Sequence, residues 1–361
     1  MTVNNNLSGS GVWLRKLLLS DYFVLYLTII YVLILWPIIP PVMSARNINN
    51  VLSNMWPLLA VAIGQTFVLL LAGIDLSQTS IMALTSVIGA LIMTSKVNPT
   101  LFQKSPMWGV WLSETGSPLA ESAWAIPLAI LAILLVGMFI GLLNGVSVAI
   151  FKMPPFIVTL VSMMFYSALA IYLPKSENIM GMPSAFIEIG RGKILEIFSI
   201  DIFTIPMVIS LSLAAVAIIF LTRTIFGRWI YATGFNPKAS RISGVPTTKV
   251  IIMAYMISGF CAAVGSILYS ARMRMGRPTL ASTLLLDIVG ANVIGGVSLA
   301  GGKGKVRGTF LGVLFFVLLS NTLSLLNLSY ETIDIVKGFV ILGACLLDVI
   351  RTRIAAREMR S

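Results

Sequence analysis

The sequence contains no histidine and only two cysteines, and charged residues are few in its 361 positions. Because Cys261 and Cys345 lie in apolar stretches, metal sites, disulfide bonds and Cys–His catalysis are poorly supported. Charged residues make up 11% of the chain, whereas soluble domains carry roughly 25%. The sequence therefore predicts an integral membrane protein that is not an enzyme and has no metal and no cofactor.

Acidic residues are scarcer than basic ones, at 13 against 25, which gives a net charge of +12. An excess of this size is common in proteins that bind nucleic acid. Here, however, the basic residues lie in short connections between apolar runs, where the positive-inside rule places them. We therefore expect the lipid bilayer as a partner and no nucleic acid.

What the chain does contain is mostly apolar, since 58% of its residues are hydrophobic and they recur in runs near ~20 residues, the length of a membrane-spanning helix. We predict an all-α integral membrane protein with about ten transmembrane helices. Both termini are expected in the cytoplasm, because this orientation puts more than half of the basic residues inside. The predicted parts are a cytoplasmic N-terminal segment (1–20), a polytopic transmembrane domain (21–350) and a basic cytoplasmic tail (351–361).

Three details of this arrangement can be compared with a structure. The second span is predicted at about 55–72, and the break around Asp75 leaves open whether spans two and three are full or broken helices. The eighth span is predicted at about 284–299. Large outer loops are expected at 96–122 and 174–201.

Polar side chains within the apolar runs cost free energy unless they pair or line a wet path. Asp75 and Asp287 are the stronger candidates, because ionised groups need partners or water, although Asp75 also suits the cap of the next helix. The amides suit helix–helix contacts as well, worth well under ~2 kcal/mol each. The candidate solute-path residues are Gln65, Asp75, Gln78, Asn144, Asp287, Asn292 and Asn321.

The longest polar interruption is the segment 223–249, which carries five basic residues and no acidic one. Within it, Asn236 is a good N-cap, Pro237 suits the first helical position, and Gly244 followed by Pro246 ends the helix. A helix this short cannot cross a membrane and needs a surface to pack on. The segment is therefore interpreted either as a docking surface for a partner protein or as an ordinary cytoplasmic loop.

The glycine–lysine stretch Gly301–Lys305 invites comparison with a phosphate-binding loop. The spacing G-x-x-x-x-G-K does not occur, and neither lysine is followed by serine or threonine. We interpret the stretch as a tight basic turn, so any nucleotide hydrolysis is expected in a separate chain.

Several motifs stand in order over about residues 50–350. They are Gly73-Ile-Asp-Leu-Ser, Gly141-Leu-Leu-Asn-Gly, Pro154-Pro-Phe-Ile-Val-Thr-Leu, Gly227-Arg-Trp-Ile-Tyr-Ala-Thr-Gly-Phe-Asn-Pro, Ser243-Gly244, Gly295-Gly-Val-Ser-Leu-Ala-Gly-Gly and Val336-Lys-Gly. This set resembles the ribose/xylose/galactoside-type permease subunits of ABC importers, which are related to the branched-chain amino acid permeases.

The resemblance implies a bacterial inner-membrane permease for a monosaccharide or related polyol. It implies three partners: cytoplasmic ATPase subunits, a second permease subunit that forms a homo- or heterodimer, and a periplasmic or extracellular solute-binding protein. It also implies that a coupling helix docks on the ATPase, formed by Asn236, Pro237, Lys238, Ala239, Ser240, Arg241, Ser243 and Gly244. Permeases of branched-chain amino acid or nucleoside importers are alternatives, and so is an ion-coupled secondary transporter, although the scarcity of buried ionisable groups argues against the last.

The chain also departs from the family's pattern. Ala72 stands where the family usually has the first of two glycines, and Phe235 replaces a glycine before Asn236. Gln78 and Thr79 replace Val-Gly, and Leu285 stands where many members have glutamate. These changes fit a divergent paralogue and leave the solute open.

Overall fold

The computed structural model describes residues 23–197 and 199–358, and nearly all of its regular structure is helical. The helices are α1 (Phe23–Leu35), α2 (Ala45–Leu70), α3 (Gln78–Met93), α4 (Pro99–Phe102), α5 (Ala125–Ala149), α6 (Pro155–Tyr172), α7 (Ser184–Arg191), α8 (Ile205–Arg223), α9 (Ile225–Phe235), α10 (Pro237–Ile242), α11 (Thr247–Met273), α12 (Leu285–Ile294), α13 (Val306–Leu325) and α14 (Tyr330–Glu358). The predicted N-terminal segment 1–20 lies outside the described residues, as do the last three residues of the predicted tail.

Six of the helices in the described part are long and apolar enough to cross a membrane, namely α2, α5, α6, α8, α11 and α13. Three shorter helices, α1, α3 and α12, are also apolar. The prediction of a helical integral membrane protein is therefore confirmed.

Helices α2 and α11 form the centre of the bundle. Every residue of α2 from Met55 to Leu70 is buried, and α11 packs against both α2 and α5. The contact with α5 is close because it is made by glycines: a Cβ at Gly137 would lie 2.5 Å from the carbonyl oxygen of Gly259. By contrast, α6 buries only 17% of its most apolar window and exposes apolar side chains, as a lipid-facing helix does.

The two ends of the bundle differ. At one end, which we call the hairpin end, the strands β1 (Lys193–Ile197) and β2 (Ile200–Thr204) pair antiparallel between α7 and α8. The loop after α3 meets the segment before α7 here, where Ser95 N donates to the carbonyl of Gly181 at 3.0 Å. The short-helix end carries α9 and α10, next to the last turn of α2 and the glycine-rich loop 295–305.

Three elements differ from the prediction. Helix α2 begins at Ala45 rather than near residue 55, because the Ser44 side chain accepts from Asn47 N and caps it. Helix α12 ends at Ile294 and is too short to be the full span predicted at 284–299, since Gly296 takes a φ of +83°. The hairpin adds a small sheet to a fold predicted as all-α, within and just beyond the predicted loop 174–201.

Candidate functional site

Asp75 lies in the connection between α2 and α3, and its side chain is completely buried. Its carboxylate accepts hydrogen bonds from the backbone N–H of Ser77 at 3.0 Å and from Ser258 Oγ at 2.6 Å. A buried charge needs such compensation, because the surrounding apolar medium solvates it poorly. Among the described residues its hydrogen-bond partners are hydroxyls and backbone amides rather than a basic side chain.

Gln65, Gln78 and Asn144, all predicted path residues, join Asp75 in one network. Gln78 Nε2 donates to the same α11 serine at 2.9 Å, and Asn144 Nδ2 donates to Ser77 Oγ at 2.9 Å. With its amide nitrogen turned toward acceptors, Gln65 bonds to the backbone of Asp75 and to Gln78 Oε1. The network links α2, α3, α5 and α11, and its predicted members are at most 2% exposed. Its geometry suits joining the central helices more than lining an open path.

Asn292 occupies a second polar cluster, nearer α13. Its Oδ1 accepts from Thr66 Oγ1 at 2.7 Å and from Thr309 Oγ1 at 3.0 Å, and its Nδ2 donates to the carbonyl of Ala62 at 3.1 Å. Both ends of the amide are therefore engaged, and they fix the short helix α12 against α2 and α13. These contacts are of the helix-to-helix kind that the sequence analysis gave as the alternative to a path residue.

Asp287 is paired with Lys337 of the Val336-Lys-Gly motif, which was not among the predicted path residues. Lys337 Nζ of α14 lies 2.8 Å from Asp287 Oδ1 and 3.8 Å from Asp334 Oδ1, and both Asp287 and Lys337 are buried. The spacing of Asp334 and Lys337, three residues apart on one helix, is the sequence signal that could have drawn attention to this lysine. The pair compensates most of the charge that Asp287 would otherwise bring into the bundle.

Asp287 and Asn321 are the two predicted path residues that line a described cavity. The cavity has a volume of about 240 Å³ and lies between α2, α11, α12 and α13. Seven of its ten lining residues carry polar groups, namely Asn50, Asn54, Tyr269, Asp287, Ser320, Asn321 and Ser324, and the others are Leu58, Leu284 and Val317.

One observation makes this cavity suited to a polar ligand, because Ser320 Oγ is buried without a hydrogen-bond partner among the described residues. Asn321 is already engaged in a reciprocal amide pair with Asn47, with both N···O distances at 2.9 Å. Of the cavity's polar residues only Asp287 and Asn321 were predicted, because Asn50 and Asn54 lie before the predicted start of span two.

At the short-helix end, the predicted miniature helix is confirmed as α10. Asn236 caps it, since its Oδ1 accepts from Ala239 N at 3.0 Å, and Pro237 is its first residue. Lys238, Arg241 and the other predicted docking residues are exposed, except Ser240, which is buried.

Two large apolar side chains frame this basic helix and were not among the predicted docking residues. Phe235 is 78% exposed and Ile242 is 88% exposed. A compact patch of two apolar and two basic side chains is a surface on which a partner protein can bury apolar area.

Helix α9, which leads into α10, and the neighbouring glycine-rich loop make close contacts with the end of α2 and with each other. Gly302 N donates to the carbonyl of Leu70 at 2.8 Å, and Tyr231 Oη donates to the carbonyl of Gly304 at 2.8 Å. Gly234 lies so close that a Cβ there would collide with the Leu70 carbonyl. The segment thus touches both the end of α2, a few residues before Asp75, and the glycine-rich loop after α12.

Long apolar helices, a polar cavity between them and an exposed basic helix at one end define a multi-spanning membrane protein of the transport class. Residues 47–345 match the family described as branched-chain amino acid transport system / permease component, and the chain belongs to this family. The resemblance found in the sequence motifs is therefore confirmed.

Similar proteins of known function are sugar permeases. The chain is 34% identical over 324 residues to the ribose import permease protein RbsC of Haemophilus influenzae, covering 89% of this chain and 90% of that protein. It is 33% identical to RbsC of Bacillus subtilis, over 91% and 92% of the two chains. It is 29% identical to the xylose transport system permease protein XylH of Escherichia coli, over 94% of both. No solved structure matches the chain.

Proposed function

We propose that this protein is the permease subunit of an ATP-driven importer that takes up a monosaccharide or related polyol across the bacterial inner membrane. The observation that carries the proposal is full-length similarity to ribose and xylose permeases. The chain has no phosphate-binding loop of its own, so ATP hydrolysis falls to separate ATPase subunits.

In this proposal the chain crosses or enters the membrane ten times, through α1, α2, α3, α5, α6, α8, α11, α12, α13 and α14. The short-helix end faces the cytoplasm, and both termini lie on that side. Supporting this orientation, the basic segments 223–249 and 303–307 belong to the short-helix end. The arginines at 272, 274 and 277 lie on the other side and run against the rule.

The solute would pass through the cavity that Asp287 and Asn321 line. Carboxylate and amide groups bind sugar hydroxyls, because they accept and donate hydrogen bonds at fixed positions. Lys337 offsets the charge of Asp287, so the cavity favours a neutral polyhydroxy solute over a cation.

Coupling to ATP hydrolysis would run through α10. Phe235 and Ile242 would enter a groove of the ATPase, and Lys238 and Arg241 would meet its acidic side chains. Because Gly234 contacts the end of α2, a push on α10 would move the central helices as rigid bodies. A solute-binding protein would dock at the hairpin end on loops 96–122 and 174–201, and a second permease subunit would complete the path.

The docking helix can be tested by the substitution Ile242→Glu. Placing a carboxylate in an apolar contact should reduce co-purification of the ATPase by at least about tenfold, since losing a central apolar anchor costs more than ~1.4 kcal/mol. Val110→Glu is the matched control, because Val110 is 81% exposed in loop 96–122.

Co-purification should stay normal in the control, and both variants should insert into the membrane at the wild-type level. ATPase binding that survives Ile242→Glu unchanged would contradict the proposed role of α10.

A further inference from the structure

A second cavity lies at the hairpin end and plays no part in the proposed transport path. Its volume is about 300 Å³, and it is enclosed by α2, α7, the hairpin and the last turn of α11. Its lining residues are Ser53, Trp56, Gly190, Arg191, Lys193, Asp201, Thr204, Pro206 and Arg272. Three of these are basic and one is acidic.

The acidic residue is already engaged. Lys193 Nζ lies 2.8 Å from Asp201 and 3.3 Å from Glu196. The hydrogen bond that Lys193 donates to Asp201, assisted by the one it donates to Glu196, raises the pKa of Lys193 above its ordinary value, so the lysine stays charged at physiological pH. This cluster has two carboxylates for one ammonium group, so it contributes no free positive charge to the cavity.

The two arginines are not balanced in this way. Arg191 Nε donates to the carbonyl of Arg272 at 2.8 Å, and Arg272 Nη1 donates to the carbonyl of Ser53 at 3.1 Å and to Asn54 Oδ1 at 2.5 Å. In the described part of the chain, no carboxylate pairs with either guanidinium. Two positive charges therefore sit side by side on one cavity, each oriented by a neutral oxygen.

The hairpin contributes Lys193, Asp201 and Thr204 to the cavity and exposes apolar side chains beside it. Ile194, Leu195, Ile197 and Phe203 are between 42% and 61% exposed. Strand β2 leads without a break into α8, whose apolar residues such as Val216 (62%) are exposed as well. The apolar surface of a membrane-crossing helix thus continues onto the hairpin.

The hairpin is also fixed against the start of α2. Asn49, near the start of α2, donates through Nδ2 to the carbonyl of Ser199 at 2.9 Å, and its Oδ1 accepts from Asp201 N at 2.8 Å. Because β2 leads directly into α8, a candidate membrane span, we expect the hairpin at the level of the lipid headgroups.

We propose that the cavity binds the phosphate group of an anionic phospholipid, with the hairpin lying in the outer membrane–water interface. Paired guanidinium groups match the geometry and charge of a phosphate, and the exposed apolar residues of β1 and β2 contact the lipid's upper acyl chain. An acidic side chain of a docked protein is the less suitable occupant, because the hairpin next to the cavity exposes apolar side chains and leads directly into α8, whose apolar side chains are exposed as well.

The test is lipid binding to delipidated protein in detergent, followed by native mass spectrometry as phosphatidylglycerol or phosphatidylcholine is added. Arg191→Gln should weaken phosphatidylglycerol binding by at least about tenfold, or about 1.4 kcal/mol, because a charge-assisted hydrogen bond to the phosphate is lost. Phosphatidylcholine binding should be weaker in the wild type and should change less. Arg191→Lys keeps the charge and should restore part of the affinity.

Arg277→Gln is the matched control, because Arg277 lies at the same end, bonds through Nε to Thr279 Oγ1 and does not line the cavity. Unchanged phosphatidylglycerol binding by Arg191→Gln would overturn the proposal. Inorganic phosphate that displaces the lipid at equal concentration would identify a site for a free anion instead. Normal lipid binding together with weakened capture of a solute-binding protein would assign the arginines to partner docking and would also overturn it.

Discussion

At the scale of single residues, Asp287 carries two roles that experiment can separate. It lines the polar cavity, and it is the counter-charge of Lys337. Removing one partner of a buried ion pair leaves an uncompensated charge, whereas replacing both partners by neutral groups is often tolerated.

The first prediction concerns this pair. Lys337→Met should destabilise the protein by about 3–5 kcal/mol, because the Asp287 carboxylate stays buried without its cation. The double substitution Lys337→Met with Asp287→Asn should recover most of that loss but not solute uptake. Thermal unfolding in detergent, combined with uptake into membrane vesicles, measures both effects. Equal melting temperatures for Lys337→Met and the wild type would contradict the structural role.

Substitution of Ala72, by contrast, is predicted to raise the stability of the protein. It has a φ of +60°, in the left-handed region, and the family usually has glycine at this position. Ala72→Gly should stabilise the protein by about 1 kcal/mol, because glycine adopts this conformation without the steric cost of a Cβ.

The measurement is again the midpoint of thermal unfolding in detergent. Ala132→Gly, inside helix α5, is the matched control and should lower stability by about 1 kcal/mol, since helical alanine is replaced by the weaker helix former. If Ala72→Gly does not raise the unfolding midpoint, or lowers it as Ala132→Gly does, then φ at residue 72 has no energetic consequence.

Sequence alone could select the polar residues within apolar helices, but not their neighbours. Gln65, Asp75, Gln78 and Asn144 were chosen independently, and their meeting point depends on Ser77 and Ser258. A serine in an apolar helix has no pattern that distinguishes it from one bonded to its own backbone. The tertiary structure, not the sequence pattern, brings these four residues together.

At the scale of elements, Gly234 is the point where α9 and α10 meet the bundle. Gly234→Ala should destabilise the protein by about 1–3 kcal/mol, because the added Cβ collides with the Leu70 carbonyl, a backbone group that cannot easily move. It should also reduce ATP-driven uptake, since the contact lies between the proposed docking helix and α2.

The matched control is Gly343→Ala in α14, where an added Cβ has no neighbour within 4 Å. Alanine is the better helix former, so this variant should be as stable as the wild type or slightly more stable. The two variants are compared by thermal unfolding and by uptake. Wild-type behaviour of Gly234→Ala in both assays would remove the junction from the proposed coupling route.

Elements were predictable where the sequence carried local signals. The cap at Asn236, the proline after it and Gly244 gave α10 its bounds, because each acts within a few residues. The hairpin was missed, although Lys193–Ile197 and Ile200–Thr204 are rich in β-branched residues at strand length. The start of α2 was missed because Asn47, Asn50 and Asn54 make it polar, and their partners lie on other elements.

At the scale of the whole molecule, the two ends of the bundle serve different proposed partners, the ATPase at one end and the solute-binding protein at the other. The docking helix and the glycine-rich loop meet at the short-helix end, while the hairpin, the long loops and the polar cavity lie toward the other. The central helices α2 and α11 join the two ends, and the Asp75 network ties them together. Movement at α10 can therefore reach the cavity through these two helices and through the glycine-rich loop that joins α12 to α13.

The last prediction distinguishes an ATP-driven permease from an ion-coupled transporter. A transporter that uses protons or sodium needs an ionisable group that exchanges its ion during the cycle. Within the described helices, Asp75 is enclosed by hydroxyl and amide partners, and Asp287 is neutralised by Lys337. Neither arrangement favours ion exchange with water.

Liposomes that contain the purified permease, alone or with its ATPase and solute-binding protein, allow a direct comparison. Uptake of ribose or xylose should require all components and internal ATP, because closure of the ATPase supplies the movement of α10. A proton or sodium gradient without ATP should give no uptake, and an ionophore should leave ATP-driven uptake unchanged. Gradient-driven uptake by the permease alone would exclude the ATP-driven mechanism, whereas ATP-driven uptake of an amino acid in place of either sugar would overturn only the proposed solute class.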